Sequence, residues 1–455
     1  MSDQLHTEAS VSRPPAVPSP APPSAPAEIP SAIAPAALPP WLDLAAPAFW
    51  RLPDPQRAAA FRHLRSLPAP VHFVERPAGP LRRERGFHAL VRHADVLAAS
   101  RNPQVFRSAP GVTTPEPARW VRLLFGDSMV NLDDPRHAQL RRIVARAFTP
   151  RLIARVEEDI RATAARIVDR VIAERPADFV PAVAAQLPFQ VICAMMGIPE
   201  EHRPLILRQI DQASEHTGVH RPLRERIRLP GQGLRALARL QRLVARLGCE
   251  RRRHPTEDLI SALVGADLDG RGLTGRELGA FFSLLLVAGV ETTRNALAHG
   301  LHLLSTHPEQ RALLLAEPER RLDGAVDEIL RHATPIIQFR RTLAADHQLG
   351  GAQLARGDQV LLCYAAANRD ESVFPDPDAF DITRDPNPQL AFGGGGPHFC
   401  LGAHLARQEM KALYRELFSR LPDIRSTAAP EIVPSNFDHR VRSLAFTFTP
   451  PAVGG

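Results

Sequence analysis

Residues 390–407 read Leu-Ala-Phe-Gly-Gly-Gly-Gly-Pro-His-Phe-Cys-Leu-Gly-Ala-His-Leu-Ala-Arg, which puts Cys400 directly after a glycine loop and before a helix-forming run. Glycines 393–396 allow the backbone to turn tightly and approach a flat ligand. The run from Leu401 to Arg407 is expected to begin a helix whose positive end faces the sulfur, and both features favour a thiolate. A second set of reactive types lies at 288–293, Ala-Gly-Val-Glu-Thr-Thr, where two small residues precede an acid and two alcohols. A threonine there can donate to a carbonyl one turn earlier and bend a helix, while the small pair leaves room on one face. Alone, this could equally be a kinked core helix with a solvated Glu291. Beside a thiolate loop, an acid and an alcohol have the makings of a proton relay.

The element that must carry this acid–alcohol pair runs over 274–306. It opens on Thr274-Gly275-Arg276-Glu277, a capping box. At about 1.5 Å per residue it spans roughly 50 Å, enough to cross a domain. Apolar residues at three- and four-residue spacing also predict helices over 137–148, 151–174, 187–197 and 233–252. Strands are predicted at Phe87–Arg92, Gln359–Tyr364 and Ser443–Thr449, with a turn at Leu349-Gly350-Gly351. The fold expected is mainly α with small β-sheets.

Three further patterns stand out. Glu328 and Arg331 lie one helical turn apart, a spacing that on an exposed helix contributes only about 0.2–0.5 kcal/mol. His137 and Arg141 share one helix face and could hold a carboxylate. Residues 374–384, Phe-Pro-Asp-Pro-Asp-Ala-Phe-Asp-Ile-Thr-Arg, form a turn-rich approach to the glycine loop.

Composition sets the outer limits. The 455 residues carry 56 basic and 49 acidic side chains, a net charge of +7 that is almost all arginine, since Lys411 is the one lysine. No concentrated basic patch argues for nucleic acid. The cysteines, Cys193, Cys249, Cys363 and Cys400, are widely spaced, which indicates neither a disulfide framework nor a Cys-x-x-Cys zinc site and suits a reducing cytoplasm. No secretory signal is read in the first 40 residues. The apolar run Phe281–Val290 is too short to span a bilayer. Residues 1–40, rich in proline and alanine, are expected to be a disordered tail, and 41–455 one domain.

In this order and at these separations the motifs resemble the cytochrome P450 superfamily, over nearly the whole chain from residue 41. The resemblance implies a single-domain P450 fold, haem b ligated through iron by Cys400, and dioxygen as co-substrate. It makes Glu291 and Thr292 the acid–alcohol pair and places Ala288 and Gly289 at the oxygen pocket. His137, Arg141, Arg341 and His398 become anchors of the haem propionates, with Arg341 preferred to Arg340, and Gly402 a further cofactor contact. Glu328, Arg331 and Arg384 would form a structural network. Substrate contacts would come from Leu284, Leu285, Ile336, Ile337 and Phe339 and from the 186–230 region, lining a cavity for a hydrophobic lipid, steroid, terpenoid or polyketide-like molecule.

The family's bacterial members imply an external ferredoxin and ferredoxin reductase, docked here by Arg142, Arg146 and Arg407, and a monomer. The alternatives are a peroxide-driven peroxygenase, a non-catalytic haem-binding sensor and, from His398 and His404 beside Cys400, a zinc site. Two departures are visible. Phe392 lies eight residues before the cysteine where the usual pattern has seven, as in a subgroup that includes sterol- and branched-lipid-oxidising members. Gln389 stands where many relatives carry histidine.

Overall fold

The computed structural model describes residues 38–75, 85–114, 128–147, 150–214, 230–266 and 273–450. The expected tail therefore lies outside the described residues except for its last three positions. So does 215–229 of the expected substrate-contact region.

The long helix forms as the capping box predicts. The Thr274 hydroxyl accepts from the Glu277 amide at 3.2 Å, and the Glu277 carboxylate accepts from the Thr274 amide at 2.9 Å. It is not uniform, however. Gly275–Leu285 and Thr292–Thr306 are α-helical, and Leu286–Glu291 between them widens into a π turn. Thr292 Oγ1 donates to the Ala288 carbonyl at 2.6 Å within this stretch, so the back-bonding read from the sequence coincides with the distortion. Wide turns of this kind commonly mark functional sites.

This helix runs through the main core. Phe282, Leu286 and Leu301 share one buried cluster with Val244 and Leu247 of helix Pro230–Arg253, Ile329 of helix Pro318–Ala333, and Leu413 and Leu417 of helix Ala403–Arg420. Gly300 is the closest approach. A Cβ there would meet the Tyr414 hydroxyl at 2.0 Å and Ile329 at 2.9 Å. That hydroxyl donates to the Leu297 carbonyl at 2.9 Å. Gly300→Ala is therefore expected to lower stability by about 2–4 kcal/mol, from overpacking plus a lost buried hydrogen bond, read as the midpoint of denaturant unfolding.

The sheets are small and peripheral. Strands β1 (Val71–Glu75), β2 (Arg85–Leu90), β3 (Phe106–Arg107) and β4 (Gln338–Leu343) precede the hairpin β5 (His347–Leu349) and β6 (Ala352–Leu354), and β7 (Gln359–Cys363) follows. The main sheet has the order β1-β2-β7-β4-β3. Its central strand is buried on both faces. Leu361 and Cys363 join a cluster with Phe49, Phe73 and Phe87, while Val360 and Leu362 join Leu90, Phe106 and Leu343 on the other side, which explains its unbroken apolar run. The predicted strand Ser443–Thr449 is instead two short ones, Val441–Ser443 and Phe446–Thr447, in different two-stranded sheets. Asp178 and Phe179 take the backbone of Leu444 between them, which ends the first pairing. Among the described residues no helix is long and apolar enough to cross a membrane.

Candidate active site

The glycine loop uses its four glycines in two ways. Gly393, Gly395 and Gly396 have φ of 94°, 84° and 73°, the left-handed region that other residues enter at a cost. Gly394 needs the missing side chain, since a Cβ would lie 2.6 Å from Ser100 Oγ. The loop thereby seats on the helix His93–Arg101. Phe392 then packs against the main core, its carbonyl accepting from the Cys400 amide at 3.0 Å and its ring lying 4.5 Å from the Arg407 guanidinium.

The following helix begins at Ala403, two residues later than expected, and leaves Gly402 as its cap. The Gly402 amide donates to the Cys400 sulfur, and Arg141 and Arg407 add positive charge nearby. These favour a thiolate, as anticipated, but desolvation outweighs them and pushes the thiol above its usual value. The residue is nonetheless exposed in this structure, so water offsets part of that desolvation. A metal cation held there would favour the thiolate, because a coordinating thiol is deprotonated outright. Cys193 and Cys363, by contrast, are buried thiols pushed up to about 12.

Beside the cysteine, positive groups converge from separate segments. The His137 and His398 rings lie 4.0 Å apart, and Arg341 and Arg141 both act on His398. Burial first, then Arg341, His137 and Arg141, drive the His398 pKa down to about 3. Burial likewise lowers His137 and the deeply enclosed Arg341. Beyond burial, the positive groups gathered here lower His398 further, and the two carboxylates of haem would relieve that repulsion, so the side chains fit that group. Strand alternation separates the neighbours on β4: Arg340 reaches Gln359 at 3.3 Å, and Arg341, the one preferred from the sequence, acts on His398. Sequence reading missed Ser108, buried, with its hydroxyl 3.1 Å from His398 Nε2 and its amide donating to Asp133 at 2.8 Å. No spacing signal marks it.

On the long helix Thr292 is partly exposed, and Val287 is 55% exposed, the highest value among the large hydrophobics of the described residues. Ala288 is exposed beside it. Gly289, half-buried, also allows helix Gln186–Met195 to pack closely, since its missing Cβ would lie 2.9 Å from Ile192 Cδ1. Glu291 also departs from the solvated alternative: it is buried and pairs with Arg294 at 3.3 Å and Arg440 at 3.9 Å.

The remaining expectations divide. Leu284 and Leu285 are half-buried, and Ile336 and Phe339 lie at the edge of a core cluster, with Phe339 6.0 Å from the ring of Phe437. Ile337 is turned the other way, fully buried among Phe49, Trp50 and Leu361, and cannot line a cavity. Arg142 and Arg146 are exposed. Arg407, partly exposed, is held by Asp327 at 2.8 Å as well as by the Phe392 ring. Gln389 bonds Asp327 at 3.2 Å, away from the histidines. His404 pairs with Glu157 at 3.5 Å and His398 meets Ser108, an arrangement that does not gather zinc ligands around Cys400.

Glu328 and Arg331 are not the exposed pair that their spacing alone would allow. Both are fully buried, joined by two bonds of 2.8 and 2.7 Å. Arg331 also donates to the carbonyls of Asn368, Pro377 and Ala379 at 2.7–2.9 Å. Glu328 accepts from the Asp381 amide at 2.9 Å and from Asn387 at 3.0 Å, and Arg384 approaches it at 3.4 Å. The network locks the turn-rich approach on which the cysteine loop depends.

Comparison with known proteins agrees with this geometry. The cytochrome P450 family model matches residues 239–421. The chain is 42% identical over 421 residues to a methyl-branched lipid omega-hydroxylase of Mycobacterium tuberculosis, covering 90% of this chain and 95% of the relative. It is 35% identical over 385 residues to a steroid C26-monooxygenase of Mycolicibacterium smegmatis, covering 84% and 88%. A Mycobacterium marinum cytochrome P450 solved in complex with pseudoionone superposes with a TM-score of 0.81 at 40% identity, covering 90% of this chain and all of that one. The cysteine loop, the acid–alcohol turn and these likenesses together establish that the chain belongs to the cytochrome P450 family and is a monooxygenase.

Proposed function

We propose that the protein hydroxylates an aliphatic carbon of a branched lipid or steroid-like substrate, with haem b, dioxygen and electrons from an external ferredoxin and its reductase. The observation that carries the reading is the exposed aliphatic stretch of the long helix at Val287 and Ala288, next to Thr292. A wall of this kind binds by apolar contact area without fixed charge. The likeness to a methyl-branched lipid omega-hydroxylase and a steroid C26-monooxygenase points to the same substrate chemistry.

In this reading Cys400 holds the iron, and His137, Arg141, Arg341 and His398 hold the propionates. The haem, when bound, supplies the oxygen-activating chemistry. The chain does the rest: Thr292, its hydroxyl committed to Ala288 at rest, and Glu291 move protons, while Leu284, Leu285, Ile336 and Phe339 with Val287 keep water out and orient the substrate. Presence of the acid–alcohol pair favours an oxygen-dependent enzyme over a peroxygenase or a haem sensor. The exposed Arg142 and Arg146 offer a basic face to an acidic ferredoxin, and the enzyme acts as a cytoplasmic monomer.

Titration of the haem-loaded enzyme with methyl-branched fatty acids, sterols and linear aromatic compounds tests this. The first two classes are expected to shift the haem from low to high spin at micromolar concentration and to be hydroxylated near a chain end. A shift and turnover confined to the aromatic set would overturn the substrate assignment.

A further inference from the structure

Helix Pro230–Arg253 has two faces of different chemistry. Leu240, Val244 and Leu247 are buried in the main core. Arg235, Arg239, Arg242, Arg246 and Arg253 recur at three-, four- and seven-residue intervals, and all five are exposed. In the linear sequence they are scattered among leucines. At 3.6 residues per turn they fall within about a sixth of the helix circumference and, at 1.5 Å per residue, along about 27 Å. Like charges at this spacing repel one another. Among the described residues none of the five is paired with an acid, and the one acid of the helix, Glu250, meets Arg251 at 3.2 Å. Between Arg246 and Arg253 the stripe opens into a recess of about 510 Å³, lined also by Ala245, Cys249, Glu250 and His254.

The place of the helix in the fold narrows what this stripe can meet. It packs on the first half of the long helix, Gly275–Leu285, and on helices Arg203–Ser214 and Leu259–Gly265. Helix Ala403–Arg420, which follows Cys400, packs instead on Pro150–Glu174 and Pro318–Ala333. An electron donor has to come near Cys400, whose own basic neighbours on helix Arg136–Ala147 are closer to hand than the stripe. The 24 residues of the helix include no aromatic side chain on which a base could stack, which disfavours single-stranded nucleic acid. A straight row of guanidinium groups suits a planar, evenly charged surface, which imposes no register. Basic amphipathic helices are characteristic of membrane surfaces, where each arginine near an anionic leaflet adds to binding.

We infer that the arginine face of helix Pro230–Arg253 docks the protein on an anionic phospholipid surface, the headgroup phosphates lying between the guanidinium groups. The contact is electrostatic and peripheral, because the apolar face of the helix stays in the core. For a lipid or steroid-like substrate the bilayer is also the reservoir, but the docking does not depend on that assignment.

Co-sedimentation of the haem-loaded enzyme with vesicles tests the inference. Binding is expected to mixed phosphatidylglycerol–phosphatidylcholine vesicles and not to phosphatidylcholine alone. It is expected to disappear as salt shortens the screening length from about 10 Å at 0.1 M to about 3 Å at 1 M. Arg242→Glu combined with Arg246→Glu is expected to weaken binding by about 20-fold or more, each arginine contributing about fivefold. Arg142→Glu combined with Arg146→Glu alters the net charge equally and is expected to weaken it far less. All four side chains are exposed, and the Soret band shows that each variant is folded. Should the reversed helix fail to fold, Arg242→Gln with Arg246→Gln is read in its place. No sedimentation with the anionic vesicles, equal binding to phosphatidylcholine, or equal losses in the two double variants overturns the proposal. So does a stripe variant that binds vesicles as the parent does but is reduced more slowly by ferredoxin or loses binding to double-stranded DNA, which would assign the face to that partner.

Discussion

Replacing Arg331 with alanine is expected to abolish the folded, haem-loaded protein at ordinary growth temperature. Arg331 is fully buried, and all of its nitrogens are bonded, to Glu328 and to the carbonyls of Asn368, Pro377 and Ala379. Alanine leaves the buried Glu328 carboxyl without its main partner and takes one donor from each of the carbonyls of Asn368, Pro377 and Ala379. Breaking one side of a buried ion pair costs about 3–5 kcal/mol, and the lost bond to the buried Asn368 carbonyl adds to that. Since folded domains are stable by only about 5–15 kcal/mol, this removes much of the margin.

The contrast with charge alone is informative. Arg331→Lys keeps the charge but not the planar five-donor fork, and should recover only part of the stability. The exposed Arg415–Glu319 pair, bonded at 2.8–2.9 Å, should show no measurable change in melting temperature on Arg415→Ala, because water replaces what is lost. Thermal unfolding followed at the Soret band compares all three. A melting curve for Arg331→Ala close to that of the parent would show that the network carries little of the stability.

The second large effect is a pH dependence that originates in Glu409. This residue lies buried on the helix after the cysteine loop, and burial pushes its carboxyl up to about 8, partly opposed by a hydrogen bond with Thr293. The folded protein keeps the proton through neutral pH, whereas the unfolded chain releases it near the usual carboxylate value. Stability is therefore highest below about pH 4.5 as far as this group is concerned and declines as pH rises toward 8, at up to about 1.4 kcal/mol per unit. Above 8 the loss is complete and the contribution is flat.

Glu409→Gln imitates the protonated acid and can keep a bond to Thr293. Its stability relative to the parent should accordingly increase between pH 5 and 8 and then level off, a sign opposite to that of an ordinary salt-bridged carboxylate. Chemical unfolding at a series of pH values measures it. Parallel curves for the two proteins would mean that Glu409 is ionised when folded. The location adds interest, since Thr293 adjoins Thr292 and couples the cysteine side of the core to the relay helix.

Much of the site was legible because its signals are local. The capping box at Thr274, the left-handed glycines before Cys400 and the back-bond from Thr292 each depend on residues within a few positions, and residue type alone nearly dictates the geometry there. The motif order then identified the family. Assignments that rested on which way a side chain faces were less secure. Ile337 looked like a neighbour of Ile336 in a cavity wall, but adjacent residues of an extended segment point to opposite sides and Ile337 went into the core. At Gly289 the sequence showed a small residue but not that Ile192 packs against it.

Partners distant in sequence were beyond reach altogether. The spacing of Glu328 and Arg331 is the same on an exposed helix as in a buried one, and only the carbonyls of 368–379 folding over them distinguish the cases. Arg407 was one more arginine in an arginine-rich chain until Asp327, eighty residues earlier, claimed it. Glu291 and its alcohol neighbour are written in six consecutive residues, but of the charges beside the acid only Arg294 is local, while Arg440 comes from a segment brought back by the packing of the whole chain. The sequence by itself thus determined the chemistry of this protein, a cysteine loop and an acid–alcohol turn, because local backbone preferences encode both. Tertiary structure decided which charges are buried and against whom, because desolvation and pairing depend on neighbours that no local pattern names.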